Sequence, residues 1–311
     1  MINKTKLAFK AVLVSALCIS MAGCGHKQDG TQKAGKTEKL VIATSGSDTM
    51  VNLAQMWAEE YQKVNSNVTV EVAGGGSGVG IRDLIQGVIM IANASREMEP
   101  AEKAQAKQKT GKEPVELIVA YDALAIYANM KNPIETISME ELEGIYGEHG
   151  QLDKWSQLGI DLKASGANDE IVRVSRQNSS GTYTYFREKV LHKKDYRMGS
   201  KDMSGSKDVV ELVTKTVGAI GYSGMGYHTE HVKFVKVSAK KGEPAYEPSV
   251  ENVLSGKYPL ARSLLMYTLG QPDTAARAYI DWILSPAGQE IVKKAGYVPL
   301  KADNKEKEAA K

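Results

Sequence analysis

Three times in this chain of 311 residues, an apolar run ends in a cluster of glycine and hydroxyl residues that gives way at once to helical spacing. The clusters are Thr44-Ser45-Gly46-Ser47-Asp48-Thr49, Gly74-Gly75-Gly76-Ser77-Gly78-Val79-Gly80 and Ser179-Ser180-Gly181-Thr182. Before the first lies Leu40 to Thr44, a short apolar run that reads as a buried strand; after it, Met50, Leu53, Ala54, Trp57, Ala58 and Tyr61 mark one helix face. Val68 to Val72 alternates as a strand, Ile81, Leu84 and Ile85 carry a second helix, and Val88 to Ala92 reads as the next strand. Ala101 to Lys109 reads as a polar helix, and residues 115–120 and 123–128 as two strands or one long one. The second half repeats this alternation, with a strand over 171–175, helices over 180–191 and 209–216, and strands over 219–222, 232–237 and 264–268. Helices over 274–284 and 286–295 close the chain. Strands alternating with helices predict parallel, doubly wound α/β sheets. We expect two such α/β lobes, with the chain crossing between them near 120–128 and again near 236–262.

The recurring cluster has a chemical meaning. A helix N-terminus leaves its first N–H groups unpaired and carries roughly half a positive charge. Glycine lets a ligand approach the backbone, and serine or threonine adds uncharged donors. Three such mouths at the ends of strands would surround a small anion. Arg176, just before the third, adds a planar cation suited to tetrahedral oxyanions. Each mouth alone is explained by ordinary helix capping; three of them, with an arginine alongside, favour an anion site.

Catalytic signatures fail. Gly74 to Gly80 does not fit G-x-G-x-x-G, and Ile81 stands where a phosphate-loop lysine would be. There is no G-x-S-x-G. Ser204-Gly205-Ser206-Lys207 fits S-x-x-K, the basis for a competing serine-hydrolase reading on Ser204 and Lys207. The accompanying Lys109-Thr110-Gly111 lies in the reverse order, with no S-D-N between. His228 and His231 could share a helical turn but lack an evident third ligand. The chain is therefore read as a non-enzyme with no cofactor and no metal.

The first residues read as a targeting segment. Lys4, Lys6 and Lys10 precede an apolar stretch, Ala11 to Met21, too short to span a bilayer, and then Met21-Ala22-Gly23-Cys24. This resembles a bacterial lipoprotein signal over residues 1–23, with Cys24 as the lipid-bearing mature N-terminus, and so a chain anchored on the extracytoplasmic face of the cell membrane. Removing 1–23 takes away three lysines and no acid, so the basic residues fall from 40 to 37 and equal the 37 acidic ones. A neutral mature chain gives no case for a nucleic-acid partner. Cys18 leaves with the signal, so no disulfide is expected. Residues 24–39 read as a flexible tether and 301–311 as a charged tail. Between them we expect lobe I over 40–120 and 241–300, and lobe II over 121–240.

Several stretches together resemble the phosphate-binding lipoproteins of bacterial high-affinity phosphate ABC transporters. They are Gly46 to Met50, Ala73 to Ile81, Ile91-Ala92-Asn93-Ala94-Ser95-Arg96, Arg176 to Thr182, Gly218 to Tyr222, Pro248 to Gly256, Ile280 to Gly288 and Gly296 to Leu300. The likeness runs from about Leu40 to Leu300. It implies a type II periplasmic-binding-protein fold: two doubly wound α/β lobes, a two-crossover hinge and closure on the ligand. It also implies phosphate contacts from Ser47, Thr49 and the Met50 N–H, from Ser77 and the Gly78 N–H, and from Arg176, Ser180, Gly181 and Thr182. The partners implied are inorganic phosphate and the permease and ATPase subunits of an ABC importer, with the binding protein acting as a monomer.

Two positions depart from the pattern of that family. Met90 stands where the family usually has an aspartate that accepts the proton of phosphate and repels fully ionised anions such as sulfate. Asn178 stands where an acid often pairs with the arginine. Methionine is a weak, uncharged acceptor, and losing one charge-assisted hydrogen bond is worth roughly 1.5–3 kcal/mol. These departures raise the alternative of a receptor for another oxyanion, sulfate or molybdate. A surface adhesion or sensing lipoprotein that kept the fold without transport is a further alternative.

Overall fold

The computed structural model describes residues 39–300. The signal (1–23), the lipid-bearing Cys24, all but the last residue of the tether and the tail (301–311) lie outside the described residues.

The chain opens with β1 (Leu40–Gly46), α1 (Val51–Val64), β2 (Val68–Ala73), α2 (Ser77–Gln86), β3 (Ile91–Ala94) and α3 (Pro100–Thr110). β4 (Pro114–Asn129) follows as one unbroken strand, then β5 (Thr136–Ser138), α4 (Met139–Tyr146), β6 (Val172–Arg176) and α5 (Gly181–Lys189). Next come β7 (Lys201–Met203), α6 (Ser206–Lys215), β8 (Ala219–Gly224), β9 (Val232–Ser238) and β10 (Ala245–Tyr246). The described chain closes with α7 (Val250–Leu254), β11 (Ala261–Leu269), α8 (Thr274–Leu284) and α9 (Pro286–Lys294).

The strands run in the order β2-β1-β3-β11-β4-β8-β6-β7, with β9 joining β4, β5 and β10 to one side. β1 is parallel to β2 and β3, and β6 is parallel to β7 and β8. β11 runs antiparallel to both β3 and β4. β4 is the strand shared by the two halves. It pairs with β11 up to Ala123, then with β8 and β9 from Leu124 onward.

Both halves bury two faces, as the alternation of apolar residues requires. In the first half, Ile42 and Ile91 pack with Trp57, Tyr279 and Ile280 of α1 and α8, while Ala92 and Ala94 pack with Ile81 and Leu84 of α2 on the opposite face. In the second half, Leu124, Ile126 and Ala128 face Phe186 of α5, while Ala125 and Tyr127 face Val209 and Val213 of α6. The period of two along β4 thus serves both layers.

Three details differ from what the sequence predicts. The glycine cluster at 74–80 is only partly a turn, because α2 already begins at Ser77. Gly80 lies inside α2, and a Cβ there would stand 2.5 Å from the Ser45 carbonyl oxygen, so its bareness is what lets the helix lie against β1. The strand expected at Val88–Ala92 is shifted to Ile91–Ala94. Gly87 ends α2 in a left-handed conformation, and Val88 donates its N–H back to the Asp83 carbonyl, so this residue closes the helix instead of starting the strand. Finally, residues 241–260, expected with the first half, pack on the second. β10 pairs with β9, and Val253, Tyr258 and Leu260 share a core with Ile137, Tyr146 and Trp155. Tyr258 also donates its hydroxyl to the Leu124 carbonyl.

Candidate oxyanion site

The three mouths meet. β1 and β3 lie side by side and parallel, so the segments that leave them, Ser47–Thr49 and Ser95, emerge together. Ser47 donates its N–H to the Asn93 carbonyl and its hydroxyl to Ser95 Oγ at 2.8 Å. Ser77, the first residue of α2, accepts the Ser95 N–H at 3.1 Å. The third mouth, at the start of α5, arrives from the other half. A Cβ on Gly181 would stand 2.3 Å from Ser77 Oγ and 2.8 Å from Ser95 Oγ, so glycine is required for that approach. Thr49 and Thr182 face each other with their hydroxyl oxygens 2.9 Å apart. Ser47, Thr49, Ser77, Ser180 and Thr182 are all buried.

Arg176 ends β6 and has no exposed side-chain surface. It donates to the Met203 and Ser204 carbonyls and to Ser206 Oγ at 3.0 Å, all in its own half. Reaching the other half, it donates to Asp48 Oδ2 at 2.7 Å. Burial pulls its pKa below the ordinary arginine value, with the Asp48 carboxylate opposing that shift. Asp48 also accepts the Gly75 N–H on Oδ1 at 2.8 Å, and Tyr227 donates its hydroxyl to the Asp48 carbonyl.

Two backbone donors expected to face an anion are engaged elsewhere. The Met50 N–H donates to the Ser47 carbonyl at 2.9 Å, closing the turn that begins α1, while the Met50 side chain lies in the core. The Gly78 N–H donates to the Ser179 carbonyl at 3.1 Å, a bond between the halves. Ser180 caps α5 by accepting the Thr182 N–H.

Both positions that seemed to lack an acid need correction. Met90 is exposed, and its N–H donates to the Ala43 carbonyl at the entry to β3. It stands five residues before Ser95, about 16 Å away along extended chain, so no side chain at 90 reaches the mouths. Asn178 is also exposed. The acid beside Arg176 is Asp48, which comes from the first mouth, so the site does not lack its carboxylate.

Sequence reasoning missed a second buried pair. Asp122 on β4 and Arg262 on β11 are cross-strand partners, 2.8 Å apart, with side chains 0% and 2% exposed. Arg262 reaches Thr49 Oγ1 and Thr182 Oγ1. Burial raises the Asp122 pKa above the usual aspartate value against the pull of Arg262 and the Met225 N–H. A signal was available: each is a single charge inside an apolar run, Val119-Ala120-Tyr121-Asp122-Ala123-Leu124 and Leu260-Ala261-Arg262-Ser263-Leu264. Such a charge is buried only when paired.

The hydrolase constellation does not assemble. Ser204 donates its hydroxyl to Asp208 at 2.7 Å, while the Lys207 side chain is 79% exposed and lies 3.7 Å from Glu211. His228 packs on Phe234 and His231 lies beside Glu230. Among the described residues no group of three or more His, Cys, Asp or Glu could hold a metal, and no described helix is long and apolar enough to cross a membrane.

The chain is similar to known proteins. Residues 28–287 match the family described as the PBP superfamily domain. The phosphate-binding protein PstS of Pseudomonas aeruginosa is 36% identical over 276 residues, covering 86% of this chain and 85% of that protein. PstS of Bacillus subtilis is 30% identical over 305 residues, covering 96% of this chain and 95% of that one. Among solved structures, an ABC-type phosphate transport receptor from Vibrio cholerae superposes with a TM-score of 0.65 at 26% identity, covering 83% of this chain and all of that one. The fold is the periplasmic-binding-protein fold that the sequence resemblance implied.

Proposed function

We propose, from the premise that the chain belongs to the PBP superfamily and within it to the phosphate-binding proteins, that it captures inorganic phosphate between two lobes and delivers it to an ABC importer. The observation that carries this reading is the convergence of three helix mouths from two halves of the molecule on Arg176 and Asp48. In this reading residues 39–123 with 261–300 form one lobe and 124–260 the other, and the chain crosses within β4 and again at the start of β11. Thr49, Ser77, Ser180, Gly181 and Thr182 supply neutral donors and Arg176 supplies the cation, while Ser47, whose N–H and hydroxyl go to Asn93 and Ser95, holds the first mouth against β3. Neutral donors and helix dipoles hold a dehydrated oxyanion without adding formal charges to it.

Asp48 takes the part that the family pattern assigns to an acid at position 90. A carboxylate oxygen keeps a second lone pair after accepting one bond. Monohydrogen phosphate has a proton to donate to it; sulfate and molybdate at neutral pH have none and meet repulsion instead. With Met90 removed from the site, nothing favours sulfate or molybdate over phosphate. The protein performs no covalent chemistry, acts as a monomer on the extracytoplasmic face through lipid on Cys24, and hands its cargo to permease and ATPase subunits.

The test is calorimetric titration of the delipidated protein after stripping of carried-over phosphate. Submicromolar phosphate affinity with much weaker sulfate and molybdate binding is the expected result. No heat with phosphate overturns the reading, and tighter sulfate or molybdate binding redirects it to another oxyanion.

A further inference from the structure

The Asp122–Arg262 pair lies where the molecule changes hands. The two residues are register partners on the two crossover strands, one position before β4 leaves β11 for β8. Asp122 Oδ2 accepts from Arg262 Nε at 2.9 Å and Nη2 at 2.8 Å, and Oδ1 accepts the Met225 N–H at 3.0 Å. The carboxylate is therefore occupied on both oxygens and fixes the plane of the guanidinium. From that fixed plane Arg262 Nη1 donates to the Ser95 carbonyl at 3.3 Å. Nη2 also faces Thr49 Oγ1 at 3.2 Å and Thr182 Oγ1 at 3.1 Å, one from each half. The Tyr185 ring lies against the same guanidinium, 5.5 Å from its centroid.

A guanidinium can only donate; with one Nη2 hydrogen on Asp122, the other is shared between the two threonine oxygens, so neither O–H points at Arg262. One threonine hydrogen goes to the other hydroxyl across the 2.9 Å gap, which leaves one for a ligand; without Arg262 that hydrogen can turn into the vacated space and a lone pair then faces the anion, which is repulsive. We propose that Arg262, held by Asp122, is a positioning residue for anion capture: from the hinge it biases the coupled Thr49 and Thr182 hydroxyls so that their one free hydrogen is offered to the ligand. Because the two hydroxyls belong to different halves, one hinge arginine sets the polarity of a hydroxyl pair that bridges them. This rests on the assignment of Thr49 and Thr182 to the phosphate site.

Phosphate titration of wild type, Arg262→Lys, the Thr49→Val/Thr182→Val double variant and the triple variant tests it, with folding checked by circular dichroism. Arg262→Lys keeps the charge and loses the planar fork. It is expected to weaken phosphate binding at least about tenfold, the scale of one charge-assisted hydrogen bond, yet to cost less than about threefold in the threonine-free background. An equal loss in both backgrounds, or no loss in the wild-type background, overturns the proposal. If Arg262→Lys does not fold, Asp122→Asn serves the same cycle with the same two expectations. A double variant that binds as wild type overturns the threonine assignment and this proposal with it, leaving phosphate capture standing. A wild type that binds no phosphate overturns both.

Discussion

The molecule holds two buried arginine–aspartate pairs that look alike and do different work. Asp48–Arg176 joins residues 128 positions apart, one on each side of the cleft, and the aspartate side chain keeps 15% of its surface exposed. Asp122–Arg262 joins adjacent strands, and its aspartate is fully buried. In the proposed opening of the halves the first pair must part, whereas the second is laced into the sheet between neighbouring strands. A salt bridge in a low-dielectric interior is weak evidence of stability, but removing one partner leaves an uncompensated charge. The hinge pair is therefore the structural one, and the cleft pair is the one a ligand can address.

The comparison breaks most visibly in stability. Asp122→Ala should lower the unfolding free energy by about 3–5 kcal/mol, against roughly 1 kcal/mol for Asp48→Ala, whose arginine keeps three partners in its own half. Urea unfolding of the ligand-free proteins measures both, and equal losses would erase the distinction. In binding the order reverses. Arg176→Ala should weaken phosphate by about 2–4 kcal/mol, within the range for truncating one partner of a buried charge pair, while its circular dichroism stays native. Asp48→Asn should cut the preference for phosphate over sulfate by about tenfold or more, read as the ratio of two dissociation constants. Met90→Asp, in contrast, should leave that ratio unchanged.

The smallest effect concerns the support of the cleft pair. Asp208 accepts the Ser204 hydroxyl and the Gly205 N–H at the start of α6, where Ser206 anchors Arg176. The Ser204 hydroxyl, first, and the Gly205 N–H hold the Asp208 pKa below the ordinary aspartate value. A depressed folded-state pKa gives stability that is present above the unfolded value and is lost as pH falls through the folded one. Asp208→Asn should therefore cost about 0.5–1 kcal/mol near neutral pH, a modest figure for a partly exposed cap. The gap from wild type should close on acidification, as measured by denaturation across pH.

The contrast between the pairs also explains what could be read from the sequence. The α/β alternation, the three mouths and Arg176 were legible because each is a local pattern: a period of two or 3.6, a glycine, a capping hydroxyl. The acid beside Arg176 was sought nearby in sequence, at 178, or at the entry to a strand, at 90. It came from Asp48, inside the first of the three mouths. Arg262 and Asp122 were missed because their partnership spans 140 positions and follows from sheet register alone. The shift of β3 by three residues has the same origin, since the Val88 N–H is used by the turn behind it.

The bond from the Gly78 N–H to the Ser179 carbonyl, together with the Tyr227 hydroxyl on the Asp48 carbonyl, joins the halves without using the hydroxyls and guanidinium assigned to the anion. In the proposed function these links act as a clasp that must open before a captured ion can leave. The links and the groups assigned to the anion are thus different atoms of the same mouths. Loosening the clasp, for instance by Tyr227→Phe, would speed release to a transporter while leaving the choice of anion to the mouths.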